Sequence, residues 1–73
     1  MKIKFSRHAR RQIKWRKISI KEINAAVNNP DKLEDTLKER KNAFKTIDGR
    51  LLKITYKPEK DIMLIVTAIA KGE

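Results

Sequence analysis

Three features of this 73-residue chain predict an α+β domain, with a short amino-terminal strand and two helices packed on one face of an antiparallel sheet of three to four further strands. The stretch before Pro30 passes from apolar–polar alternation to helical spacing, the change of period that separates a strand from a helix. Ser19 and Glu22 stand at capping-box separation between two amphipathic segments. Beyond Pro30, apolar runs alternate with turn signals, among which Asp48-Gly49 is the clearest. The length predicts one domain over residues 1–73, close to the lower size at which a single core suffices.

Met1 to Phe5 sets Ile3 and Phe5 against Lys2 and Lys4, as a strand with one buried face requires. A helix follows from Arg7 to about Lys17, with Ser6 as the N-cap whose hydroxyl accepts a first-turn N–H. At roughly 100° per residue, Arg7, Arg10, Arg11, Lys14 and Lys17 share one side of it, and Phe5, Ala9 and Ile13 fall nearly opposite. Cations at a helix start oppose its dipole and repel one another, which suits a polyanion partner or a solvated basic face. Trp15 is expected either to anchor the helix, partly buried, or to stack on a base. The Ser19–Glu22 box, stapled by Ile18 and Ile23, starts a second helix at Ile20 with an apolar stripe of Ile20, Ile23 and Val27. Asn28-Asn29-Pro30 ends it, because Pro30 disfavours helical geometry in the residue before it.

Leu33 to Lys38 is expected as a strand with Leu33, Asp35 and Leu37 on one side, and Glu39 to Asn42 as a turn. Ala43–Ile47 and Arg50–Lys57 flank Asp48-Gly49 as a hairpin, since Asp-Gly accepts the positive φ angles of a type I′ turn. Pro58-Glu59-Lys60-Asp61 reads as a second turn, and Ile62–Ile69 as a strand buried on both faces. Pairing through these turns sets Ala43 opposite Ile54, Ile54 opposite Ile65 and Leu52 opposite Thr67. The helices are then expected over Ala43, Ile47, Leu52, Ile54, Tyr56, Met63, Ile65 and Ile69. The other face would hold Phe44, Thr46, Leu51, Lys53, Thr55, Leu64, Val66 and Ala68, with no helix left to cover it. A mixed aliphatic, aromatic and cationic surface of that kind marks a partner or ligand site.

Composition narrows the partner. Nineteen Lys and Arg against nine Asp and Glu give a net charge of +10, and no acid precedes Glu22, so a nucleic acid is favoured. The absence of Cys leaves neither a disulfide framework nor a thiolate nucleophile, and one His cannot build a zinc site, so no metal or cofactor is expected. No apolar run is long enough to cross a bilayer or to act as a signal peptide, which predicts a cytoplasmic protein without a membrane partner.

In this order of elements the chain resembles the RelE-type toxin fold, and more closely a short prokaryotic domain family of uncharacterised function grouped with the RelE and BrnT toxins. The residues that carry the likeness are Phe5-Ser6-Arg7-His8-Ala9, Ile18-Ser19 with Glu22, Asn29-Pro30, Glu39-Arg40 and Val66-Thr67. The resemblance implies metal-independent RNA cleavage, often on the ribosome, and an acidic antitoxin that neutralises the basic protein. A 2′-hydroxyl attacks the neighbouring phosphate once a base takes its proton, cations stabilise the charge on phosphorus, and an acid protonates the leaving 5′-oxygen. By the same resemblance Lys53, three residues before Tyr56, is the cation of the free sheet face, and Lys71 is the candidate substitute for an Arg that follows the last strand in RelE-type toxins. His8, the one imidazole of the chain, is either the proton carrier or a packing residue at the helix start. Arg40 and Arg50, at opposite ends of the hairpin, are candidates for gripping flanking phosphates. Lys45 would join Lys53 only across a bulged or slipped strand.

The leading expectation is therefore a toxin-like RNA-binding protein that cleaves messenger RNA or blocks translation. A non-catalytic nucleic-acid-binding module is the alternative, reading backbone through Arg7, Arg10, Arg11 and Lys14. A module that pairs with itself or with an acidic chain is the third.

Overall fold

The computed structural model describes residues 2–36 and 38–71. The element order is β1 (Lys2–Phe5), α1 (Arg7–Arg16), α2 (Ile20–Asn28), β2 (Lys32–Asp35), β3 (Lys41–Ile47), β4 (Arg50–Glu59) and β5 (Ile62–Lys71). The strands form one five-stranded sheet in the order β1-β5-β4-β3-β2, with both helices on one side. The α+β class and the helix placement agree with expectation. The sheet is larger and mixed: β1 lies parallel to β5, with Lys2 beside Ile62 and Phe5 beside Ile65.

Local chemistry accounts for both helices. Ser6 Oγ accepts the Ala9 N–H at 3.0 Å. Lys17 closes α1 in the left-handed region at φ 55°, and the Ile18 N–H reaches back to the Ile13 carbonyl at 3.0 Å. Buried Ile18 then leads into the capping box, in which the Glu22 N–H donates to Ser19 Oγ at 3.0 Å and the Ser19 N–H to Glu22 Oε1 at 2.8 Å. Ile23, Ala26 and Val27 are buried, whereas Ile20 is 59% exposed. At the first position of α2, Ile20 borders a surface groove between the helices and misses the core.

The hairpin forms as its Asp-Gly pair requires, with φ of 51° at Asp48 and 81° at Gly49. Its register, Ala43 opposite Ile54 and Ile47 opposite Arg50, is the expected one. The second connection differs. Glu59 pairs with Ile62, so the turn is Lys60-Asp61 alone and β4 continues through Pro58. Pro58 is tolerated because β3 pairing stops at Tyr56, which leaves Lys57–Glu59 with β5 as its one neighbour.

A β-bulge then corrects the rest of β5. Thr55 faces Thr67 but Tyr56 faces Ile65, so Val66 is an extra residue. Beyond it the faces exchange: Ala68 is fully buried beneath α1, and Ile69 moves to the open face beside Lys53, the reverse of the expected placement. The bulge is held by α1. Ser6 Oγ donates to the Val66 carbonyl at 3.2 Å, and the Ala68 N–H donates to Gln12 Oε1 at 3.0 Å. The core beneath the helices comprises Ala9, Ile18, Ile23, Ala26, Val27, Ala43, Leu52, Ile54, Tyr56, Met63, Ile65 and Ala68. Of the expected core residues, Ile47 is half-buried at its margin. β2 is the expected strand shortened to Lys32–Asp35, and Leu37 lies outside the described residues.

Candidate nucleic-acid interface

With the helices on one side, pairing and burial assign the opposite face strand by strand. Lys2 and Lys4 lie on β1 and Lys32 and Glu34 on β2, with Asn42, Phe44 and Thr46 on β3. Leu51, Lys53, Thr55, Lys57 and the acidic Glu59 lie on β4, and Ile62, Leu64, Thr67, Ile69 and Lys71 on β5. Among the described residues no helix crosses this face. Lys53, Lys57 and Lys71 have no acidic partner among the described residues, and Lys32 is held 3.5 Å from Glu34.

The centre of the face is one cross-strand row, Lys32–Phe44–Lys53–Ile69. The Lys32 and Lys53 ammonium groups stand 5.8 and 5.9 Å from the centroid of the Phe44 ring. Each contact contributes about 0.5–1 kcal/mol at exposed sites, so the lysines are oriented by the ring without being committed to it. Phe44, Leu51, Lys53, Ile69 and Lys71 line a small hollow. The exchange of faces at the bulge makes this hollow possible, because it carries Ile69 and Lys71 to the side of Lys53. Thr55 Oγ1 donates to Asn42 Oδ1 at 2.7 Å, and a neighbouring hollow is bordered by Thr55, Arg40, Thr36, Asp35 and Lys38.

The expected site residues thus divide. Lys53 and Lys71 come together on the open face, and Arg40 borders it. Lys45 points to the helix side, as its register required, with Nζ 3.0 Å from the Asn29 carbonyl and 3.6 Å from Asp31 Oδ1. Arg50 is also occupied: one guanidinium nitrogen meets Glu22 Oε2 at 2.9 Å and another donates to the Arg16 carbonyl at 3.2 Å. It ties the hairpin turn to the junction of the helices. Arg7, His8, Arg10, Arg11 and Lys14 are exposed on α1, in the layer opposite Lys53, so His8 is not brought to the hollow. Trp15 is no partly buried anchor. It is 77% exposed, with the Arg16 guanidinium 5.0 Å from its ring.

The sequence pattern placed Phe44 on the uncovered face without giving it a role of its own, and it gave no site role to Lys32 or the lysines of β1. The alternation of Lys2 and Lys4 with Ile3 and Phe5 was the available signal, but their place on the open face follows from the parallel pairing of β1. On the helix side, Phe5, Ile13, Ile18 and Ile20 form an apolar groove fringed by Arg10, Lys14 and Lys17. Among the described residues no three His, Cys, Asp or Glu side chains gather to hold a metal ion, and no helix is long and apolar enough to cross a membrane.

Two carboxylates sit below their ordinary range. For Glu22 the main cause is the Ser19 N–H, with the Arg50 guanidinium adding to it and desolvation opposing; for Asp31 it is the Thr46 N–H, helped by Lys45. A carboxylate depressed on folding contributes stability above its unfolded pKa and loses it as pH falls through the folded one. Glu22→Gln is expected to destabilise the fold by about 1 kcal/mol near neutral pH, a figure discounted for the partial exposure of both partners. As acid protonates Glu22, below its ordinary 4.5, the gap between variant and wild type should narrow. Parallel melting-temperature curves from about pH 7 to 3 would refute this role of Glu22.

The fold and this surface define a small basic α+β domain whose sheet keeps one lysine-rich face open. The chain belongs to the family described as a domain of unknown function (DUF4258), which matches residues 5–70. No curated protein and no solved structure matches it.

Proposed function

We propose that the chain is a toxin-like RNA-binding protein, related to the RelE and BrnT toxins, that engages RNA through the open face of its sheet and so cleaves messenger RNA or blocks its translation. The supporting observation is the spread of Lys53, Lys57 and Lys71 over a face on which, among the described residues, these lysines meet neither a covering helix nor an acidic ion-pair partner. Ammonium groups in that setting neutralise phosphates and release their counterions, the main source of affinity for a nucleic-acid strand. For cleavage, Lys53 would stabilise charge on the phosphorus while a base takes the 2′-proton. Glu34 shares this face and His8 does not, so the geometry supports binding more strongly than chemistry.

Purified protein should bind single-stranded RNA, and translating ribosomes exposed to it should yield cut messenger or stalled synthesis. Retained binding with lost cutting in Lys53→Ala would assign Lys53 to the reaction. Binding without cutting or stalling by the wild type would assign the non-catalytic reading, and no RNA binding by the wild type would overturn both. A second reading concerns the helix side: an apolar groove with a cationic fringe suits the amphipathic segment of an acidic partner, the part an antitoxin would play.

A further inference from the structure

The lysines of the open face explain attraction to a strand of phosphates but not the aromatic ring set among them. Phe44 is the aromatic residue of this surface; Phe5 and Tyr56 pack toward the helices and Trp15 is on α1. Phe44 lies directly between Lys32 on β2 and Lys53 on β4, and each ammonium lies within 6 Å of its ring centroid. An exposed sheet offering a ring flanked by cations is the arrangement with which single strands are held: bases stack on the ring and cations follow the backbone. A duplex keeps its bases stacked on one another and cannot use such a ring.

We propose that Phe44 is a stacking platform for an unpaired base, which makes the open face a site for single-stranded RNA in preference to duplex. This inference rests on the reading of that face as an RNA surface and adds what it selects. When a base settles on the ring, the Lys32 and Lys53 side chains, long enough to swing aside, turn to the phosphates flanking that base, Lys53 giving up a weak ring contact and Lys32 both a ring contact and its exposed ion pair with Glu34. Leu51, Ile69 and the stem of Lys71 close the adjoining hollow, giving the edge of the base an apolar wall. Because every base has a π-face, little sequence preference is expected.

The experiment compares three ligands of equal length, namely an oligoribonucleotide, the same strand made abasic at its central positions and so of equal charge, and a duplex, which carries a second phosphate backbone. The wild type should bind the intact strand about fivefold to a hundredfold more tightly than the abasic one. Phe44→Leu, which keeps an apolar side chain but loses the ring, should abolish that ratio and leave abasic and duplex affinities unchanged; Phe44→Tyr should restore it. Equal affinity of the wild type for intact and abasic strands would overturn the platform while leaving RNA binding in place. Failure to bind any of the three would instead overturn the RNA surface itself. Since the abasic comparison uses unaltered protein, it decides even if Phe44→Leu does not fold.

Discussion

Reversal of Lys53, Lys57 and Lys71 to Glu is expected to cut the affinity for single-stranded RNA by about a hundredfold or more at near-physiological salt. On a single strand, log K falls with log salt by about 0.7 for each phosphate neutralised. With Lys32, Lys53, Lys57 and Lys71 engaged, the wild type should show a slope near about −3, and the triple variant one nearer about −1. The fold should be unharmed, because these side chains lie on the face away from the core and release no buried partner. The control is reversal of Arg7, Arg10 and Arg11 on α1, exposed in the other layer. If RNA lies across the sheet, that variant keeps most of its affinity and salt slope. If instead the α1 variant loses RNA and the sheet variant does not, the strand runs along the helix and the sheet-face reading fails.

Replacement of Gln12 by Leu is expected to lower the unfolding free energy by about 1–3 kcal/mol, because it orphans a partly buried backbone donor at Ala68. For a chain of 73 residues the whole stability is of the order of 4–11 kcal/mol, so the loss is a substantial share. Gln12→Glu keeps an acceptor at that position and should lose less. Denaturant titration measures the loss, and amide exchange locates it, since the Ala68 N–H should exchange faster in Gln12→Leu. An unchanged unfolding free energy together with an unchanged Ala68 exchange rate would show that the bulge holds itself. The consequence reaches the open face, because the bulge sets Ile69 and Lys71 beside Lys53.

Much of this was legible in the order of residues because the interactions responsible are local. Ser6, Ser19 with Glu22, and Asn29-Pro30 bound the helices through contacts within a few residues, and Asp48-Gly49 sets its hairpin register by backbone conformation alone. The placement of Lys53 on the uncovered face follows from that register. The position of Ile69 was not legible, for a different reason. A continuous apolar run satisfies either register, and the choice is made by Ser6 and Gln12, which bond to Val66 and Ala68 from far along the chain.

The same division holds for the surface as a whole. Short-range patterning by itself determined an excess of cations, two capped helices, a type I′ hairpin and the side of the sheet on which Lys53 falls. Tertiary structure alone decided that β1 would close the sheet beside β5, that Arg50 and Lys45 would be taken up by Glu22, Asn29 and Asp31, and that Lys32 would join Lys53 at the Phe44 ring. Charge and spacing are properties of the chain, but which cations remain free for a ligand depends on pairings between residues that only folding brings within reach.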